Sequence, residues 1–471
     1  MENTSAKLTI KQKMGFGICD MGGNLFFTLM GFWSLYFLTD VVGILAAWAG
    51  IAVMVGKIWD AVTDPMMGFI SDRTLSRWGR RRPYLLFGSI PLLLSMWLFF
   101  TAPNIQSPVL LVLWAGFTLM LLNTAMTVIN IPYGSLTPEL TTDYHERTSL
   151  NGYRFACAVV GTMLGAAVVQ PLVNFFGSLK GAAPVATAEA IETAAEVVNT
   201  VSTPSIRFGW SMTGLFMGAV VAITTLLTFF GVKEKKYTKA DLPTKKFFQT
   251  YKAVFLNGPF VKLLFTYGLN IMGLTFLQTI LAYYTEYVYK KPEMTMLAMV
   301  ILLVTAMICI PISVVISKKI GKKRTYQICF VALASACMVI YFLAQKLGPN
   351  FFLGMMVWAG IGVGFVYVAP FAMIPDAIDY GAAKSGERDE GAYYGIWTFV
   401  SKMGTSFSVF ASGLILQWGG YIAKAEQSKS AIRAIHLLIG PIPALVLIGA
   451  FLIVERYPID EKTYMQIKNN K

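Results

Sequence analysis

Lys57, Asp60 and Asp64 stand in a stretch otherwise apolar enough to enter a bilayer, "GKIWDAVTDPMMGFI". A charge near a bilayer centre costs about 2.5–3.5 kcal/mol on insertion scales, so such residues need a partner, a water-filled cavity or an ion. On a helix, Asp60 and Asp64 are i and i+4 and share one face, with Thr63 beside them. Pro65 lacks an N–H and leaves the Ala61 carbonyl without its usual helical donor. Two carboxylates, a hydroxyl and a freed carbonyl make an oxygen cage for a small hard cation. Repulsion between the acids favours a bound cation or a shared proton. The competing reading pairs either acid with Lys57 as a plain counter-ion. Two acids at this spacing beside a hydroxyl point instead to a cation seat, with Asp60 and Asp64 as metal ligands if the ion is Na⁺.

Other charges lie in apolar runs. Asp20, in "GFGICDMGGN", and Arg154, in "NGYRFACAVVG", form a candidate pair whose carboxylate and rigid guanidinium fork also suit sugar hydroxyls. Lys402, in "GIWTFVSKMGTSF", has Thr398 one turn before it. A buried ammonium facing Asp60 and Asp64 would neutralise them when a cation leaves; a static counter-ion is the alternative. Gly15 and Gly17 are not a dinucleotide fingerprint, since no strand precedes them and the third glycine is missing.

The elements that must position these groups follow from composition. The chain has 471 residues, 56% hydrophobic and only 14% charged, with a mean hydropathy of +0.60. Apolar runs of about 20 residues, the length of a membrane-spanning helix, recur from end to end. Twelve spans are expected, at about 14–39, 46–71, 84–102, 109–133, 152–176, 208–231, 259–285, 295–317, 326–346, 351–375, 392–418 and 434–454. Backbone groups in hydrocarbon must bond within their own segment, so these are helices.

The net charge of +14 sits in short connections. "SDRTLSRWGRRRP" follows span 2, "KEKKYTKADLPTKK" span 6 and "SKKIGKKRT" span 8, whereas "TDVVG" and "APNIQSP" after spans 1 and 3 carry no Lys or Arg. This asymmetry puts both termini in the cytoplasm of a multi-pass plasma (inner) membrane protein. A first six-helix bundle is expected over 1–231, a cytoplasmic linker over 232–252 and a second bundle over 253–471. The halves echo each other: the basic loops after spans 2 and 8 match, as do "IPYGSLTPELTTDYHER" and "APFAMIPDAIDYGAAKSGERDEG" closing spans 4 and 10. Such a repeat suggests two bundles rocking about a midplane site.

With the basic residues confined to loops, nucleic-acid binding is not expected. Five cysteines lie in or beside apolar runs, and two histidines stand far apart. No His-ligated metal centre, cofactor, nucleophile–base set or phosphate loop is expected, which argues against an enzyme. Filter repeats and gating rings that would mark a channel are not evident.

Gly68, Asp72, Arg73 and the Gly79–Arg82 run resemble the loop motif of the major facilitator superfamily. "WDAVTDP", "RWGRRRP", "NIPYGSL" and "IDYG", in order along nearly the whole chain, resemble its glycoside–pentoside–hexuronide:cation symporters, the melibiose permease-like family. The resemblance implies an all-α membrane protein with twelve transmembrane helices, in the major facilitator fold of two pseudo-symmetric six-helix bundles. It implies alternating-access symport of a glycoside or related sugar with Na⁺ or H⁺. By position, Asp60, Thr63, Asp64 and Thr127 would bind the cation, Thr63 standing where melibiose permease-like members carry Asn. Asp20, Asn130, Tyr133, Arg154, Tyr367 and Thr398 would line the sugar site. Asn130 replaces an Asp there, and Gly134 replaces a stacking Trp. Lys402 would couple the two sites, with Lys57 as a charge partner. Arg73, Arg80 and Asp72 would latch the halves against Asp376 and Asp379. The expected partners are a small-molecule sugar and the lipid bilayer, with the protein a monomer. An anionic sugar, either a uronide or a sulfonated sugar, or a lipid-like ligand is the alternative cargo.

Overall fold

The computed structural model describes residues 8–140, 144–180, 204–234, 254–366, 368–385 and 390–459. The chain divides into two compact units, Met1–Pro243 with Ile422–Glu426, and Thr244–Tyr421 with Gln427–Lys471.

Among the described residues, eleven helices are long and apolar enough to cross a membrane, or twelve if the pair Gly152–Ala167 and Val169–Ser178, bent by 51°, is one span. Each of the twelve expected spans falls on one of these. The first unit contains α1 (Ile10–Tyr36), α2 (Ala46–Arg73), α3 (Arg82–Phe100), α4 (Pro108–Leu140), α5 (Tyr144–Ala167), α6 (Val169–Ser178) and α7 (Pro204–Gly231). The second contains α8 (Gly258–Tyr283), α9 (Met294–Ile320), α10 (Lys322–Val339), α11 (Pro349–Val366), α12 (Ala369–Ser385), α13 (Glu390–Trp418), α14 (Lys429–Ile439) and α15 (Pro441–Glu455).

Helix starts carry local signals. Thr9 and Gln12 form a reciprocal capping box at α1. Asn257 caps α8 just before Pro259, and Ser428 caps α14.

The two units repeat one packing scheme. In the first, α1 packs on α5 and α7, α2 on α4, and α3 on α4 and α7. In the second, α8 packs on α13 and α15, α9 on α11, and α10 on α11 and α15. The repeat reaches a widened helical turn at the end of α1 and α8, over Phe37–Val42 and Tyr284–Val288. Thr39 donates to the Leu35 carbonyl at 3.0 Å and Thr285 to the Leu281 carbonyl at 3.2 Å, the same side-chain insertion in both.

With lipid outside, close packing rather than the hydrophobic effect holds helices together, and small residues allow it. Gly161 and Gly165 show this on α5: a Cβ at either would run into the carbonyl of Met21 or Leu25 on α1. That contact lays α5 on α1 and brings Arg154 within reach of Asp20.

Candidate functional site

Helices α2 and α4 hold the acidic seat in register. The Asn123 amide donates to the Gly56 carbonyl across the interface at 3.2 Å and to Leu119 on its own helix at 2.8 Å. A Cβ at Gly56 would press on Leu119 and Asn123. One turn along both helices, Asp60 meets Thr127. The Thr127 hydroxyl lies 2.7 Å from Asp60 Oδ1 and 2.9 Å from Asp64 Oδ1. Asp60 and Thr127 are each 3% exposed. Thr63 donates its hydroxyl to the Asp60 carbonyl at 3.1 Å, so its proton is engaged and only its lone pairs face outward. Lys57, a turn before Asp60, lies over the Phe27 ring at 5.9 Å.

A hydroxyl carries one proton. Thr127 can donate to one acid only. The second short oxygen–oxygen contact becomes favourable when a proton or a cation sits with it.

A second site lies where α4 meets α1 and α5. Arg154 on α5 closes on Asp20 through Nε to Oδ2 at 2.5 Å and an Nη2 contact to Oδ1 at 3.2 Å. The Tyr133 hydroxyl donates to Asp20 Oδ2 at 2.6 Å and also lies 3.1 Å from the Phe16 carbonyl. Beside this cluster is a cavity. On α1 it is lined by Asp20, Asn24 and Phe27; on α4 by Met126, Asn130 and Tyr133; on α7 by Thr225. The residues fall at helical spacing on each element, so each helix presents one stripe.

Tyr133 lines this cavity from a buried position. It is 2% exposed and its ring packs on Phe16 at 4.7 Å between centroids, with Arg154 over it at 5.1 Å. Its faces are occupied, and its hydroxyl orients Asp20. Phe27, which also lines the cavity, is 38% exposed, with the Lys57 ammonium 5.9 Å from its ring centroid.

In the second unit Thr398 donates to the Tyr394 carbonyl at 3.0 Å. Tyr394, Thr398 and Lys402 follow one another at i, i+4 and i+8 on α13, a polar stripe in an apolar helix. Behind it the Tyr267 and Trp397 rings stack at 4.0 Å, with Phe371 edge-on to both. Tyr367 and the side chain of Asp72 lie outside the described residues.

The other gating candidates have partners within their own units. The Arg73 guanidinium sits over Phe69 at 3.5 Å. The backbone N–H of Arg80 donates to Glu234, as do those of Arg81 and Arg82, at 2.9–3.1 Å. Asp376 accepts from Lys322 at 2.6 and 2.8 Å, and Asp379 is half-buried on the same helix. Tyr457, beyond α15, is buried near Asp376. Burial first, and that carboxylate second, hold its phenol well above the ordinary range, so it stays neutral.

Sequence reasoning missed Asn24, Phe27, Asn123 and Glu234. Asn24 and Phe27 had a signal, since they continue the stripe of Asp20 at i+4 and i+7. Glu234 had none, because its partners lie 152–154 residues away.

Buried acids and a partly polar cavity among helices long enough to span a membrane fit a membrane transporter. The chain belongs to the MFS/sugar transport protein family, whose profile matches residues 15–461. It is 28% identical over 431 residues to the isoprimeverose transporter of Lactiplantibacillus pentosus, covering 90% of this chain and 84% of that one. It is 25% identical over 466 residues to the sodium-dependent lysophosphatidylcholine symporter 1-A of Danio rerio, covering 97% and 87%. The crystal structure of the nucleoside transporter NupG superposes with a TM-score of 0.61 at 13% identity, over 96% of this chain and 100% of that one. That likeness shows the major facilitator fold.

Proposed function

We propose that the protein is a cation-coupled symporter that takes up a neutral glycoside by alternating access. The observation that carries this reading is the Thr127 hydroxyl within hydrogen-bond distance of both Asp60 and Asp64. Na⁺ or H⁺ fills that seat as cargo. The substrate occupies the adjoining cavity, since Thr127 and Asn130 stand three residues apart on neighbouring positions of α4. Binding of either raises affinity for the other by the same factor, because linkage is reciprocal. Loading both offsets the acids and releases the conformational change. Lys402 has the coupling role in this reading, as the charge that stands in for the cation. The positive loops put both termini in the cytoplasm of a plasma (inner) membrane, and a monomer suffices because each site is completed within one chain.

The closed Asp20–Arg154 pair is a neutral unit, which favours an uncharged sugar over a uronide or sulfonated one. A lysolipid is the reading the Danio rerio relative's name supports; the amide and hydroxyl lining of the cavity favours a polyhydroxylated ligand.

The test is uptake of labelled glycosides into proteoliposomes under imposed Na⁺ or H⁺ gradients. Asp60→Asn and Asp64→Asn should each abolish gradient-driven accumulation. Full accumulation by either variant removes the acids from the cation site.

A further inference from the structure

The cavity beside α1 contains more hydrogen-bonding capacity than the Asp20 cluster supplies. An ionised carboxylate has about four acceptor positions. Three on Asp20 are already occupied, two by Arg154 and one by Tyr133. Arg154 lies over the paired Phe16 and Tyr133 rings, at 5.5 and 5.1 Å from their centroids. This cluster ties α1, α4 and α5 together and leaves little to read a ligand with.

One turn along α1, Asn24 lines the same cavity. One N–H of its amide donates to the Asp20 carbonyl at 2.9 Å, which fixes the plane of the group. The second N–H and the Oδ1 are not engaged by any described residue. Asn130 also lines the cavity, and among the described residues its side chain makes no hydrogen bond. Each amide offers a donor and an acceptor. A pair of sugar hydroxyls needs the same, because each hydroxyl both gives and accepts. Phe27, one turn beyond Asn24, adds an apolar face for the C–H side of a pyranose ring.

We propose that Asn24 is a specificity-determining residue that reads a ligand hydroxyl together with Asn130, so that the site selects uncharged polyhydroxylated ligands. This rests on the symporter reading above and deepens it. Neutral amides satisfy hydroxyls fully but do not neutralise a carboxylate or sulfonate brought out of water. A site built to bond a hydroxyl rejects the analogue that lacks it, because the protein's own polar group is then left unpaired.

The probes are the methyl pyranosides of xylose, glucose and galactose, with the mono-deoxy analogues of whichever binds best, measured by calorimetry on the purified full-length protein. Asn24→Ala should weaken the best binder about tenfold. One deoxy analogue should bind Asn24→Ala and the parent protein equally, because the hydroxyl Asn24 reads is already gone. Asn24→Ser, with a shorter hydroxyl, should recover part of the loss. Thermal stabilisation of Asn24→Ala by the coupling cation checks that the fold and the cation seat are intact. An unchanged affinity in Asn24→Ala overturns the proposal alone. So does an equal loss for every analogue, which would make Asn24 only a support for the Asp20 backbone. If no neutral glycoside binds the parent protein, the functional reading falls and takes the proposal with it.

Discussion

The loops after spans 2 and 8 are repeats in sequence, yet the two units anchor them by different chemistry. In the first unit, Gly79 with φ +109° turns the chain into α3, and the Glu234 carboxylate from the end of α7 takes the backbone N–H groups of Arg80, Arg81 and Arg82. A carboxylate at a helix N-terminus meets unsatisfied amides and the positive end of the helix dipole. In the second unit, Gly321 with φ +87° makes the equivalent turn, with open space around it. There a half-exposed Lys322 pairs with the more buried Asp376, and Lys323 donates to the Glu455 carbonyl at 2.5 Å and reaches its carboxylate at 3.9 Å. The first corner is held through its backbone amides, with the Arg82 guanidinium adding bonds to the Phe229 carbonyl at 2.7 Å and the Trp78 carbonyl at 3.3 Å. The second is held by particular ammonium groups that salt can screen.

Removing each acid is the strongest way to break this comparison. Glu234→Ala should lower stability by about 3 kcal/mol, since it strips charge-assisted bonds from three amides. Glu455→Ala, at an exposed pair, should cost less than about 1 kcal/mol. Denaturation in detergent measures both, and equal losses would erase the distinction. Next come the glycines. Gly79→Ala meets the Glu234 carboxylate as well as an unfavourable backbone, a loss of about 2–3 kcal/mol. Gly321→Ala meets only the backbone cost of about 1–2 kcal/mol. In a Glu234→Ala background the two glycine changes should cost the same, a coupling that additive sites would not show. The smallest effects concern the lysines. Lys322→Met leaves the Asp376 carboxylate, 11% exposed, without its main partner, for about 1–2 kcal/mol. Lys323→Met should stay within about 0.5 kcal/mol. High salt should narrow that gap and leave the Glu234 result unchanged.

Different parts of the site were legible to different degrees. Asp60 and Asp64 announced themselves, because two acids at i and i+4 in an apolar run have few explanations. Asp20 and Arg154 were legible as a candidate pair of charges in spans. That they close on each other depends on Gly161 and Gly165 laying α5 against α1. Tyr133 was legible as a lining residue, but not its burial, which comes from Phe16 and Arg154 on two other helices filling the space around its ring. Asn123 read as nothing, since a single amide in an apolar helix gives no sign that a carbonyl on α2 faces it.

Hydropathy and charge by themselves determined that this chain spans a membrane about twelve times, that its halves repeat, and which buried charges demand an explanation. These are properties of single segments, and the energy of moving a segment into hydrocarbon is a sum over its own residues. Only the tertiary structure decided which of those groups meet. Thr127 sits between two acids, and Asn24 and Asn130 share a cavity while Glu234 closes a corner, through contacts between helices far apart in the chain. Such contacts depend on helix rotation and on glycines that permit close approach, and these are settled by packing several helices at once.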